Sequence, residues 1–325
     1  MRSEGALRSL PAHRMRHCRC VAALAWCAIA WAGMAIGTAR ELPEFAVENP
    51  APGVYVHYGR QAEMTAANFG DVANLGFVVG SRCVAVIDTG GTYAVGRALR
   101  QAIRRVTAIP VCFVINTHVH PDHVFGNAAF VDDHPAFIGH VHLADALRRR
   151  GQNYLNALNR DLGDAAWRSA IVVPTRAVAT SDDVDLGGRI LQLHAWPTAH
   201  TDTDLTVFDR ESATLWLGDL LFVGHVPVLD GNLRGFLAAL TEVKAIRAKL
   251  AVPGHGRALA WPDALVPEQH YLEDLRAEVR AAIDARRTLA ETVASVDVGR
   301  GQWLLYDQFH RRNVTAAYAE LEWDD

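Results

Sequence analysis

Cysteine is scarce in this chain of 325 residues: there are five, and no two stand in CxxC spacing. That excludes a zinc site built from thiolates. Cys18, Cys20 and Cys27 lie near the N-terminus, which leaves Cys83 and Cys112, each inside an apolar, strand-like run. They read as small buried hydrophobes. A disulfide is permitted outside the cytoplasm, but nothing in the sequence demands one. No GxSxG occurs, so no serine elbow is available as a nucleophile. Glycine and proline are near ordinary usage, and repeats and low-complexity tracts are absent, which excludes collagen-like, solenoid and disordered classes. No basic stripe is present to meet a phosphate backbone.

What is present is enough apolar material for a large core: half of the residues are hydrophobic. The N-terminus stands apart. Residues 1–20 carry five arginines and one acid, and the following stretch VAALAWCAIAWAGMAIG, residues 21–37, is apolar and uncharged. It is short for a membrane span and has the length of a signal-peptide core. Small residues offer cleavage before Arg40 or before Thr38, and Met15 is an alternative start. Residues 1–39 are therefore expected to be a cleaved signal peptide, the competing reading being an uncleaved anchor. The protein is then periplasmic or secreted and meets a membrane only during export. The formal charge of −4 becomes −8 once those five arginines and one glutamate leave. An acidic chain argues against nucleic acid as a partner and for a small-molecule substrate.

From Gly53 the chain reads as strands alternating with helices. GVYVHYG, LGFVVG, CVAVIDTGG and VCFVIN are strand-like, and residues 92–106 have helical spacing. AFIGH is a further strand and residues 141–161 a helix, with Arg148, Arg149 and Arg150 on a solvated face. The second half repeats the grammar: a strand over 190–196, two strands with a turn near 210–212, a helix over 234–250, then AVPGHG. This is an α/β chain. From Glu268 to the end it is helical, with YLEDLRAEVRAAIDARRTLAETVASV as one long amphipathic stretch. Residues 40–267 are expected to form a catalytic domain and 268–325 a helical extension packed on it.

The stretch NTHVHPDHVFGN carries the chemistry. His118, His120, Asp122 and His123 fall within six positions. His118 and His120 face one side of an extended chain, and Pro121 starts a turn into a helix that carries Asp122 and His123. Imidazole and carboxylate suit zinc, iron or manganese. Such a short motif alone leaves a casual histidine loop open. Distant residues of the same type complete it: His200 in AHTDTD, Asp219 in LGD, and His255 in PGHG, where flanking glycines allow close backbone approach. All of them follow strands, the edge where α/β proteins build sites.

VIDTGG, THVHPDH, AHTDTD, LGD and PGHG, in this order over roughly residues 50–260, resemble the metallo-β-lactamase superfamily. The resemblance implies an αββα sandwich of two mixed sheets flanked by helices. It implies that His118, His120 and His200 hold one Zn2+, that Asp122, His123 and His255 hold a second, and that Asp219 bridges them. This is a ligand set like that of glyoxalase II. Asp88 of VIDTGG matches a position that supports the site from behind the ligands. Two metals about 3.5–4 Å apart share a hydroxide of lowered pKa. The expected reaction is its attack on an ester-, thioester- or amide-like bond, with Asp122 orienting the hydroxide and accepting its proton.

Asp202 and Asp204 are expected to support the ring nitrogen of His200. His225, just past Asp219, is either a substrate contact or a satisfied structural histidine. Asn127 reads as a hydrogen-bonding residue of the helix. NLGFVVGSRCVAVIDTGG, GQNYL and HRRNVTAAYAELEW are similar to the quinoprotein relay system zinc metallohydrolases. That resemblance implies partnership with PQQ-dependent dehydrogenases or their cytochromes. The alternatives are a β-lactamase, a glyoxalase II-like thioesterase, an iron-dependent persulfide dioxygenase, and a metal-binding accessory protein without turnover.

Overall fold

The structure is a computed structural model that describes residues 45–323. The expected signal peptide lies outside the described residues. Among those described, no helix is long and apolar enough to cross a membrane.

Two sheets stack face to face. The first has seven strands in sequence order: β1 (Glu48–Ala51), β2 (Val54–His57), β3 (Leu75–Val79), β4 (Val84–Ile87), β5 (Val111–Ile115), β6 (Ala136–His140) and β7 (Arg176–Val178). β1 to β4 form an antiparallel meander, and β4 to β7 run parallel. The second sheet has six strands: β8 (Ser181–Asp185), β9 (Ile190–Ala195), β10 (Leu205–Asp209), β11 (Thr214–Phe222), β12 (Leu250–His255) and β13 (Leu259–Ala260), in the reverse order β13 to β8. Only its β11–β12 pairing is parallel.

The alternation of apolar residues explains the stacking. Val54, Val56, Val78, Ile87 and Ile115 of the first sheet meet Leu191, Leu193, Leu205, Val207 and Trp216 of the second. Gly76 is required there, because a Cβ on it would lie 2.2 Å from the Trp216 ring. The outer face of the first sheet is covered by α1 (Tyr93–Val106), whose Val95, Leu99 and Ile103 pack on Leu75, Phe77 and Val86. Thr92 caps it by accepting from the Val95 amide. Two further helices, α2 (Pro121–Val124) and α3 (Leu143–Leu162), follow β5 and β6. The outer face of the second sheet is covered by α4 (Leu233–Val243), α5 (Val266–Asp284), α6 (Leu289–Ser295) and α7 (Tyr306–Leu321). Residues of all four, among them Phe236, Leu272, Val293 and Val314, join one apolar cluster with Leu215 and Leu217 of β11.

Three expectations are corrected. The helix expected over 234–250 ends at Val243, because the amides of Lys249 and Leu250 bond to Ala213 and start the parallel pairing of β12 on β11. The long helix after Glu268 is broken at 285–288, where Arg286 takes a positive φ and Thr288 opens α6 with a capping box to Glu291. Cys83 and Cys112 are not isolated hydrophobes. They form a disulfide between the starts of the neighbouring parallel strands β4 and β5. Their sequence separation of 29 corresponds to about 3–4 kcal/mol of restricted unfolded-state entropy. Urea unfolding with and without reductant is expected to show a loss of that size, and an unchanged midpoint would contradict it.

Candidate metal centre

Five histidines and two aspartates converge at one edge of the two sheets. They fall into two groups whose ligand atoms lie within 4.8 Å of one another: His118, His120, His200 and Asp219 in one, Asp122, His123 and His255 in the other. The elements explain the convergence. β5 ends at Ile115 and the loop after it delivers His118 and His120, and Pro121 starts α2, which carries Asp122 and His123. The β9–β10 connection carries His200, β11 holds Asp219 within its length, and β12 ends at His255. Gly254 is essential to the fit, since a Cβ there would lie 1.9 Å from Asp219 Oδ1.

Each ring is held from behind by an acceptor. His200 Nδ1 donates to the Val228 carbonyl at 2.7 Å, and His255 Nδ1 to the Val72 carbonyl at 3.0 Å. His123 Nδ1 donates to Asp88 Oδ2 at 2.8 Å, and His120 Nε2 to Asp230 Oδ2 at 3.1 Å. Thr117 Oγ1 donates to Asp88 Oδ2 at 2.7 Å, so it accepts from His118 Nδ1 at 3.0 Å. These partners set the tautomers, and the other nitrogen of every neutral ring is a lone pair turned into the cluster.

The fit to a cation follows from what those lone pairs meet. His120 Nδ1 and His200 Nε2 face each other at 3.0 Å with their ring hydrogens committed elsewhere. Such a contact is relieved only by a shared proton or a cation. Among the described residues, buried His118 Nε2, His123 Nε2 and Asp219 Oδ1 have no hydrogen-bond partner. His123 Nε2 and Asp219 Oδ1 are 3.2 Å apart but too poorly aligned to bond. A buried unmatched polar atom costs about 1–3 kcal/mol. Asp219 reaches both groups, with Oδ2 3.6 Å from His118 Nε2, 3.4 Å from His200 Nε2 and 3.5 Å from His255 Nε2. Asp122 Oδ2 lies 3.4 Å from His255 Nε2 and 3.6 Å from His123 Nε2.

Charge is divided unevenly. Burial and the neighbouring His123 hold His118 well below the usual histidine range, and burial lowers His200 to about 4. Burial would also lower His123 and His255, but Asp219 and Asp122 outweigh it, raising His123 well above its ordinary value and His255 to about 9. The same cations outweigh burial at Asp219 and hold it well below the carboxylate range.

Asp88 lies behind His123 and Thr117, accepting from both side chains, and also accepts the Thr117 amide at 2.8 Å. Asp202 and Asp204 do not support the His200 ring, whose nitrogen is taken by Val228. Asp204 accepts from the amide and hydroxyl of Thr201, shaping the loop, and Asp202 pairs with Arg149 and Arg150. Those two arginines are thus ion-paired beside the site rather than simply solvated. His225 is 4% exposed and packs among the rings of Phe222, His255 and Phe309, directly beside the cluster. Burial, with His255 beside it, lowers its pKa to about 4. Asn127 ties the Asp88 turn to the end of β5 through Thr89 and Asn116. Sequence reasoning missed Asp230, Val228 and Val72. Asp230, thirty residues from His200 in a loop without a motif, offers no signal, and a carbonyl acceptor offers none in any sequence.

The fold and this cluster define a hydrolase class. A family model described as the metallo-beta-lactamase superfamily matches residues 69–255. The chain belongs to that superfamily, whose members are metal-dependent hydrolases, and it carries a candidate His/Asp metal site. Solved structures similar to it include TMB-1, at 19% identity and TM-score 0.57 over 71% of this chain and 98% of that one. A metallo-beta-lactamase from Pontibacter korlensis matches at 18% and 0.57 over 71% and 99%, and DIM-1 exposed to ceftazidime at 16% and 0.56 over 72% and 98%. These likenesses establish the sandwich fold. A linear primary-alkylsulfatase from Pseudomonas sp. (strain ATCC 19151) is 24% identical over 211 residues, which is 54% of this chain. This chain spans 40% of that relative's length.

The raised pKa values set a pH dependence. In the metal-free protein the Asp219 and Asp122 carboxylates favour the protonated form of His123 and of His255, and a protonated ring cannot ligate. Metal uptake at pH 7 is therefore expected to release protons, with affinity rising as pH increases towards about 9, where His255 gives up its proton. Calorimetry in buffers of different ionisation enthalpy checks this; uptake without proton release at pH 7 contradicts it.

Proposed function

We propose that the protein hydrolyses an ester-, thioester- or amide-like bond of a small molecule with two divalent ions, zinc being the metal that an imidazole and carboxylate set of this kind fits well. His118, His120 and His200 would hold one ion and Asp122, His123 and His255 the other, with Asp219, whose oxygens reach both groups, available to each. The observation that carries the reading is the set of buried donor atoms left without partners around one point. A group of lone pairs that costs so much to bury is stabilised by what it binds.

When bound, such ions supply Lewis acidity and lower the pKa of water towards neutrality. The chain's own residues do the rest. Asp122 is 15% exposed where Asp219 is 4% exposed, which puts its carboxylate at the rim of the cluster. There it accepts a hydrogen bond from the attacking water, orients it and takes its proton. Asp88 keeps His123 from turning, and Phe222, stacked on His255 at 5.3 Å, keeps bulk water from the back of the site.

The similarity to an alkylsulfatase adds sulfate esters to the substrates worth testing. Action outside the cytoplasm is supported by the Cys83–Cys112 disulfide, which suits an oxidising compartment. Partnership with a PQQ-dependent dehydrogenase or its cytochrome rests on the sequence resemblance.

Elemental analysis is expected to find about two zinc ions per chain, fewer in Asp219→Ala. One iron per chain would replace hydrolysis with oxygen chemistry. Turnover on a panel of nitrocefin, lactoylglutathione, aryl esters and an alkyl sulfate is expected to fall about 10²–10⁴-fold in Asp122→Ala. Undiminished turnover would reject the role of Asp122. A metal-loaded protein inactive on every bond class would favour an accessory role.

A further inference from the structure

The segment from Val223 to Asn232, between β11 and α4, has no regular structure of its own, yet it carries two of the acceptors that aim the histidines. These are the Val228 carbonyl behind His200 and the Asp230 carboxylate behind His120. Its ends are tied to the site loops, Val223 N donating to the His255 carbonyl and Asp230 N to the His200 carbonyl, and Arg150 of α3 donates to Asp230 Oδ2 at 3.0 Å; its middle is held by the C-terminal helices. Asn313, fully buried on α7, donates from Nδ2 to the Pro227 carbonyl at 2.6 Å and accepts the Leu229 amide at Oδ1 at 3.0 Å. The two bonds bracket Val228, fixing the peptide groups of the residues on either side and so the direction of its carbonyl. Tyr271 of α5 steadies Asn313 in turn, its hydroxyl accepting the second Nδ2 hydrogen at 2.9 Å.

The same C-terminal region makes further bonds to it on either side of Val228. The Leu304 amide donates to the Gly224 carbonyl at 2.8 Å, and the Val226 amide donates to the Leu304 carbonyl at 3.0 Å. At the far end Glu320 of α7 accepts the Leu233 amide at 2.5 Å. By contrast, the acceptors behind His123 and His255 are Asp88 and Val72, which lie outside this segment.

We propose that Asn313 is a positioning residue for the three-histidine half of the metal site. It holds residues 227–230 so that Val228 and Asp230 aim His200 and His120. The proposal rests on the two-ion reading above. It extends the site's machinery to helices that lie beyond the matched residues 69–255.

The test uses the full chain and Zn2+ itself. The two dissociation constants are measured by chelator competition for wild type, Asn313→Ala, Tyr271→Phe and Val314→Ala. Val314 is buried on the same helix in the apolar cluster, so its truncation reports loss of stability alone. Losing the support behind a metal ligand weakens binding by about 10–100-fold. Asn313→Ala is expected to weaken one step by about tenfold, and Tyr271→Phe to weaken the same step less. In the Co2+-loaded protein the ring N–H resonances of His120 and His200 are expected to move while those of His123 and His255 stay. Unchanged constants in Asn313→Ala overturn the proposal, as does equal weakening of both steps in Asn313→Ala and Val314→Ala. If Asn313→Ala fails to fold, an unchanged Tyr271→Phe overturns it. A wild type that takes up no ion instead removes the two-ion reading, and the proposal falls with it.

Discussion

The structure depends on one electrostatic constraint: lone pairs from five rings and two carboxylates are gathered where water barely reaches. An imidazole offers a lone pair in a chosen direction only if its other nitrogen has somewhere to put its hydrogen. Each of the five rings has such a partner, and the partners come from four separate segments of the chain: Val72, Asp88, Thr117, and Val228 with Asp230. Building the site is therefore a problem of placing acceptors as much as of placing ligands. The sandwich solves it by bringing strand ends from both sheets to one edge.

Small residues make the approach physically possible. Gly76 admits Trp216 between the sheets, and Gly254 admits the Asp219 carboxylate against the β12 backbone. Asn74 reinforces the second contact by donating to the carbonyls of Pro253 and Gly256, the residues on either side of the Gly254–His255 pair. Core packing and site geometry meet here, because the strand that carries Asp219 also runs through the apolar clusters on both faces of the second sheet. The C-terminal helices take part in this packing and hold the Val228–Asp230 loop, so they act on the cluster without supplying a ligand.

Much of the site is legible along the chain. HxHxDH places four donors within six residues, and AHTDTD, LGD and PGHG add the others, because metal ligation needs particular side chains at strand ends. Asp88 is legible only through the family resemblance of VIDTGG. The α/β class, α1 and most of the central strands follow from periodicity. What misleads is local: Asp202 and Asp204 lie near His200 in sequence, but the turn points them at arginines and at Thr201. The short polar strands β7 and β8 carry no apolar pattern, and helix propensity across residues 244–250 yields to pairing with β11.

The sequence by itself determined the identity of the donors, the fold class they sit on and the chemistry such donors allow, since these follow from residue type and short-range spacing. Only the tertiary structure decided which ring nitrogen faces inward, that Cys83 and Cys112 are joined, that His225 packs against His255, and that Asn313 holds the loop behind His200. Each of these depends on a contact between segments far apart in the chain. Several depend on backbone carbonyls, which every residue possesses and no sequence distinguishes.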